Sequence, residues 1–203
     1  MEGTSASMLA AQGKLFVVTK EGAIHCFGGE KTEQKVFENK SPALAATEKQ
    51  WSDLATEILD QTEASNGYGL VLGIGSGSLV EELLRQSQLQ IIAIDPDANK
   101  VNALRRHLND LGLYGTRAVA RVADPLTFEF PPYLAHLVVS EDLAAAGSDN
   151  ESLLVKQVFH ALRPYGGTAC LQLDSDSHSS FAKSIAENSL VNAEVKRVGR
   201  LSL

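Results

Sequence analysis

Cysteine is scarce in this chain: Cys26 and Cys170 are the only two, far apart and each in an apolar, strand-like stretch. That excludes a disulfide framework and a cysteine-based zinc site, and it reads as two buried free thiols. No apolar run approaches the ~18 residues that a membrane-spanning helix needs. The N-terminus, MEGTSASMLAAQG, lacks the charged-then-apolar layout of a secretory leader. Basic residues are outnumbered, 18 against 25 acidic, and nowhere cluster, so the electrostatic footprint of a nucleic-acid binder is missing. Aromatic residues make up only 6%, which leaves few platforms for stacking on bases. The five histidines, at 25, 107, 136, 160 and 178, show no metal-ligand spacing, and no metal is expected.

What is present begins with a short pattern near the start. Leu15 to Thr19 and Ala23 to Phe27 are β-branched and aromatic runs flanking Lys20-Glu21-Gly22, the signature of a β-hairpin whose turn uses Gly22 at positive φ. The polar stretch from Gly28 to Lys40 reads as a linker, which divides the chain into an N-terminal appendage, 1–40, and a main domain, 41–203. Ser41-Pro42 has the form of an N-cap followed by a first helical residue. The helix it predicts carries Leu44, Trp51, Leu54, Ala55, Ile58 and Leu59 on one face, with Trp51 a core residue rather than a substrate platform.

From Tyr68 onward strands and helices alternate. GLVLGIG, LQIIAID, TRAVARVAD, LAHLVVSED, TACLQLD and AEVKRVGRLSL read as six strands, separated by helical segments. Near-continuous apolar strands alternating with helices predict an α/β fold: a Rossmann-like, doubly wound, mostly parallel sheet covered on both faces. Such sheets bind ligands beyond the carboxyl ends of their strands, where strand order reverses. The first strand runs into Gly73-Ile74-Gly75-Ser76-Gly77, a turn whose glycines permit close backbone approach and whose following helix offers amides to an anionic group. The second strand ends in Asp95, an acid placed to accept from the two hydroxyls of a ribose, or else to cap the helix after Pro96.

A dinucleotide turn requires Gly-x-Gly-x-x-Gly, and the third position is Ser78 counting from Gly73 or Val80 counting from Gly75. What remains resembles the first motif of class I S-adenosylmethionine-dependent methyltransferases, over residues 67–203. Asp95 falls where that family keeps its ribose-binding acid, Asp124 where it often places an acid facing the adenine amine, and LRPYGG at 162–167 is similar to its turn before the fifth strand. The resemblance implies S-adenosylmethionine as cofactor, held by Gly73, Gly75, Gly77, Asp95 and Asp124, and a cytoplasmic enzyme transferring a methyl group to a small molecule or protein. Two positions depart from the pattern. Gly73 stands where the family usually has an acid, and Leu79 where it often has a further glycine. Acceptor-side groups in this family follow the fourth strand, here Ser140-Glu141-Asp142, which makes Glu141 the candidate base or cofactor contact. A solvated loop carboxylate or a helix cap is the plainer reading of Glu141. His178, in the polar stretch after the fifth strand, has the position of an acceptor-pocket residue or of a simple loop.

Residues 13–28 resemble one repeat of a pyrroloquinoline-quinone-dehydrogenase-like β-propeller, with a Gly-x-Leu-aromatic-Val strand, a glycine turn and a second strand ending in Phe-Gly. With only six strands in view where the methyltransferase sheet has seven, the chain is expected to lack its last strand and to be a piece of a longer protein with a flanking propeller domain. The hairpin would then pair onto the open edge of the sheet. Two other functions stand beside the enzyme: a non-catalytic methyltransferase-like interaction module, and a nicotinamide-dependent reductase, for which the third glycine and a Tyr-x-x-x-Lys pair are missing.

Overall fold

Side chains on successive residues of a strand point to opposite faces, so a strand in the middle of a covered sheet must be apolar at every position. In the fourth strand in space, Ala135–Val139, Leu137 and Val139 enter one hydrophobic cluster and Val138 between them the other, while His136 and a register shift against β4 interrupt the alternation at its start. The computed structural model describes residues 2–29, 33, 35–37 and 42–203. These fall into two units, Met1–Lys40 and Ser41–Leu203.

The first unit is a three-stranded antiparallel meander, β1 (Ser5–Ala11), β2 (Lys14–Thr19) and β3 (Ile24–Phe27), in the order β1-β2-β3. The hairpin expected at 15–27 is β2–β3, with Gly22 at φ 88° in its turn. The additional strand β1 joins β2 through Gln12-Gly13, both at positive φ, as a tight two-residue hairpin turn prefers. The expectation that the hairpin would extend the sheet edge is therefore corrected: its free partner is β1. Cys26, expected buried, is exposed, because this sheet has no layer packed on that face within its own unit.

The second unit contains α1 (Lys49–Thr62), β4 (Asn66–Leu72), α2 (Ser78–Gln86), β5 (Gln88–Asp95), α3 (Ala98–Asp110), β6 (Ala118–Val122), β7 (Ala135–Val139), α4 (Glu151–Ala161), β8 (Thr168–Gln172), α5 (Ser175–Glu187), β9 (Arg197–Val198) and β10 (Leu201–Ser202). Its sheet has the order β6-β5-β4-β7-β8-β10-β9. Strands β4 to β8 pair in parallel, and β10 runs antiparallel to both β8 and β9. Helices α1, α2 and α3 cover one face through Leu54, Ile58, Leu83, Val101 and Leu104, while α4 and α5 cover the other through Leu154, Val155 and Phe181.

Three expectations change here. The last apolar segment is not one sixth strand: Gly199, at φ 58°, turns it into the β9–β10 hairpin, so the sheet has seven strands rather than one too few. The first helix begins at Lys49 rather than Pro42, while Ser41 lies outside the described residues. A buried carboxylate explains the late start. Glu82 on α2 accepts from the Thr47 amide (2.7 Å) and hydroxyl (3.1 Å), which draws the chain before α1 out of helical conformation. The same carboxylate pairs with Arg85 at 2.5 Å. Burial alone would raise the Glu82 pKa, but donors from Arg85, Thr47 and Gln86 outweigh it and hold it at about 2. Finally, α5 starts at Ser175, capped by Asp174, so His178 lies in a helix rather than a loop; its Nδ1 is 2.9 Å from the Ser202 hydroxyl, tying α5 to β10.

Candidate functional site

Strand order reverses at β4, whose neighbours are β5 on one side and β7 on the other. The carboxyl ends of β4 and β7 therefore flank the crevice where doubly wound sheets bind ligands. The turn after β4 has Gly73, Gly75 and Gly77 at φ 78°, 59° and 89°, a left-handed run that residues with a Cβ resist. Close packing adds a second reason for glycine. A Cβ at Gly73 would collide with the carbonyl oxygen of Asp142, and one at Gly75 would lie 2.7 Å from Glu141 Cγ. Gly77 is the N-cap of α2, so the first amides of that helix face the turn.

Asp95 at the end of β5 is fully buried. Its Oδ2 accepts from the Ile74 amide and its Oδ1 from the Asp97 amide, both at 2.8 Å. The carboxylate thus fastens the glycine turn to β5. Asp97 is exposed and caps α3 by accepting from the Asn99 amide at 2.7 Å. Asp124, after β6, is exposed and accepts from the Leu126 amide at 2.9 Å. It is joined to the end of β5 through the bond from the Ala123 amide to the Asp95 carbonyl. The three glycines and the acids after β5 and β6 thus sit along one edge, at the carboxyl ends of adjacent strands.

Glu141 reaches the turn from β7. Its Oε1 accepts from the Ser76 amide (2.6 Å) and hydroxyl (2.5 Å), and its Oε2 accepts from the Leu79 amide (3.0 Å). Neither oxygen is free, and the anion lies at the positive end of α2. It is neither a solvated loop carboxylate nor the cap of the helix that follows it, but a ligand of the first helix amides across the crevice. The amides of Glu141 and Asp142 also donate to the Gly73 carbonyl, at 3.2 and 3.3 Å. Beside them Asp142 Oδ2 lies 2.8 Å from Lys100 Nζ on α3. Each side chain shifts the other: the hydrogen bond from Lys100 lowers the Asp142 pKa, and Asp142 raises that of Lys100, with Asp95 and Asp97 adding to the rise. The hydroxyl of Ser140, just before Glu141, is buried without a hydrogen-bond partner.

Lys100 was not among the residues singled out from sequence. Its position in the first turn of the helix that follows Asp95-Pro96-Asp97 was the available signal, since such residues face the carboxyl edge of the sheet. Among the described residues, no three His, Cys, Asp or Glu side chains are grouped to hold a metal ion, and no helix is long and apolar enough to cross a membrane.

Residues 70–166, which contain the turn and all these acids, match the family model of a methyltransferase domain. Solved structures share the architecture. A Methanococcus maripaludis protein provisionally described as an S-adenosyl-L-methionine-dependent methyltransferase superimposes with a TM-score of 0.56 at 21% identity, covering 79% of this chain and 77% of that one. The domain has the class I methyltransferase fold. Geranyl diphosphate C-methyltransferase from Streptomyces coelicolor A3(2), solved with Mg2+, geranyl diphosphate and S-adenosyl-L-homocysteine, gives 0.57 at 13% identity, over 68% of this chain and 59% of that one. The [4+2]-cyclase SpnF gives 0.58 at 14% identity, over 68% and 57%. A methyltransferase-like fold thus also serves a protein described as a cyclase, so the reaction has to be argued from the site. No match was found among curated proteins.

Proposed function

We propose that the domain is an S-adenosylmethionine-dependent methyltransferase acting on a small molecule or a protein. The observation that carries this reading is the glycine turn: three positive-φ glycines at the switch point, fastened to β5 by Asp95 and leading into the N-terminus of α2, where a carboxylate, that of Glu141, is already bound. The residues present fit the cofactor. The positive-φ turn keeps backbone free of side chains at the switch point, Asp124 stands exposed after β6, Asp95 holds the turn from β5, and the N-terminus of α2 suits a carboxylate, as Glu141 shows. Bound there, the cofactor supplies an electrophilic methyl group on a sulfonium.

The chain's own part is alignment. The rigid turn and the parallel strand ends hold donor and acceptor in line, which is the main contribution a protein makes to such a displacement. Glu141 and Asp142 stand on the acceptor side, and Glu141 takes the acceptor's proton where the nucleophile carries one. In the arrangement described, Glu141 is a partner of the turn, so it acts as a base only after leaving the Ser76 and Leu79 amides.

That engagement favours a second reading, a non-catalytic interaction module, because a resident carboxylate already satisfies the amides that a ligand would use. On the enzyme reading we place the protein in the cytoplasm, because it would need the cytosolic cofactor. The resemblance of residues 13–28 to a propeller repeat supports a longer chain with a flanking propeller domain; the antiparallel meander is compatible with part of a blade.

Calorimetric titration with S-adenosylmethionine, S-adenosylhomocysteine and NADH separates these readings. Micromolar binding of the first two, weakened about tenfold or more by Asp124→Ala, is the expected result. Binding of NADH alone would favour a reductase, and no binding by a folded sample would favour the interaction module.

A further inference from the structure

The acids at the carboxyl ends of β5 and β7 are already engaged from within the chain, although the buried Ser140 hydroxyl beside them has no partner. Glu141 satisfies the Ser76 and Leu79 amides, the turn and Asp97 satisfy both oxygens of Asp95, and Lys100 neutralises Asp142 while lying in the field of Asp95 and Asp97. Both oxygens of Glu141 bond across the switch point, and Asp142 Oδ2 reaches Lys100 on the adjoining helix, while Asp142 Oδ1 accepts locally from the Ala145 amide. Resting on the cofactor reading above, we propose that the segment from Ser140 to Gly147 is an autoinhibitory latch. Glu141 on the glycine turn and the Lys100–Asp142 ion pair close it across the crevice, and an entering ligand carboxylate must exchange with that of Glu141.

Two features make the segment able to move as a unit. Its internal bonds are local: Ala146 amide to Asp142 carbonyl, Gly147 amide to Ala144 carbonyl, and Ala145 amide to Asp142 Oδ1. Gly147, at φ 93° and close against Leu126, ends the segment in a backbone conformation that glycine adopts readily. Ala146 is its one fully buried apolar side chain, and Leu143 is only partly buried against the second cluster, so opening exposes a small apolar area together with the buried Ser140 hydroxyl. The ion pair is weak by placement. Lys100 and Asp142 are 34% and 30% exposed, a setting in which salt screens the attraction and the pair is easily exchanged.

The missing motif acid belongs to the same arrangement. Gly73 carries no side chain, and the Asp142 carbonyl occupies the place where one would begin. The latch could not close over an aspartate at that position.

Hydrogen–deuterium exchange on the full chain tests the latch without reference to any ligand. In Lys100→Met the Ser76 and Leu79 amides should exchange about two- to fivefold faster than in the parent at low salt, the range an exposed ion pair supports. Raising the salt concentration should bring the parent toward the variant. Asp142→Asn, which keeps the acceptor for Ala145, should behave alike and guards against misfolding of the first variant. S-adenosylhomocysteine should bind both variants tighter by a similar factor. Unchanged exchange in both variants overturns the latch. If the exchange changes but neither parent nor variants bind the homocysteine, the latch stands and the cofactor reading falls.

Discussion

The two sheets of this protein are made from similar residues and reach opposite states of burial. In the N-terminal meander β1 is exposed along its whole length, Met8, Leu9, Ile24 and Phe27 face solvent, and only Val17 and Thr19 are buried. In the seven-stranded sheet the last four residues of β4 and the last three of β5 are buried, polar Asp95 included. Strand sequence alone does not account for the contrast. An apolar strand is buried only when a layer covers it, and the second unit has helices on both faces where the meander has none of its own. Stability and chemistry follow the layers: the ordered acids and the positive-φ turn all belong to the covered sheet.

The sharpest break of this contrast is a pair of truncations. Leu83→Ala removes a fully buried side chain from the cluster under α2 and is expected to cost about 2–5 kcal/mol, read as a lower urea midpoint. Val17→Ala in the meander should leave that same transition where it is. An equal shift from both would mean that the two units unfold as one.

Next in size is Glu82. Its pKa is held at about 2 in the folded chain against an ordinary 4.5, so the unfolded chain takes up a proton first as the solution is acidified. The stabilisation, about 3 kcal/mol by linkage, is fully present above pH 4.5 and is lost as pH falls toward 2. Acid titration of the unfolding midpoint should show this slope, and Glu82→Gln should flatten it. A variant that keeps the parent's acid slope would assign the effect to other carboxylates.

The smallest perturbation uses the native thiols. Burial, with a contribution from Glu57, pushes the Cys170 thiol up to about 12, which at pH 8 leaves roughly one thiolate in ten thousand. Cys26 lies exposed on β3. A thiol reagent should therefore label one cysteine promptly and the second only as fast as the domain opens. Rapid labelling of both would show that the sheet around Cys170 is not closed.

Much of this fold is legible in the sequence. The glycines at 73, 75 and 77, the strand ends at Asp95 and Asp124, and Gly22 in the first hairpin announce themselves through turn chemistry, which acts within a few residues. Boundaries were less legible where a distant group intervenes. Thr47 is drawn from the start of α1 by a carboxylate 35 residues away, and Asp174 extends α5 backwards over a stretch whose serines read as loop. Strand β1 carries no strand signal because SASMLAA has none of the β-branched residues that mark one. Lys100 gave no signal apart from its place.

The sequence by itself determined the alternation of strands and helices, the doubly wound sheet and the glycine turn at its switch point, since each depends on local periodicity and on backbone conformations that few residues adopt. Only the tertiary structure decided what those acids do. Glu141 meets Ser76 across 65 residues of chain because β4 and β7 are neighbours in the sheet, and Asp95 turns inward to hold the loop because parallel pairing sets its carboxylate beneath Ile74. A carboxylate's role depends on which donors surround it, and those donors come from strands that lie side by side in space but far apart along the chain.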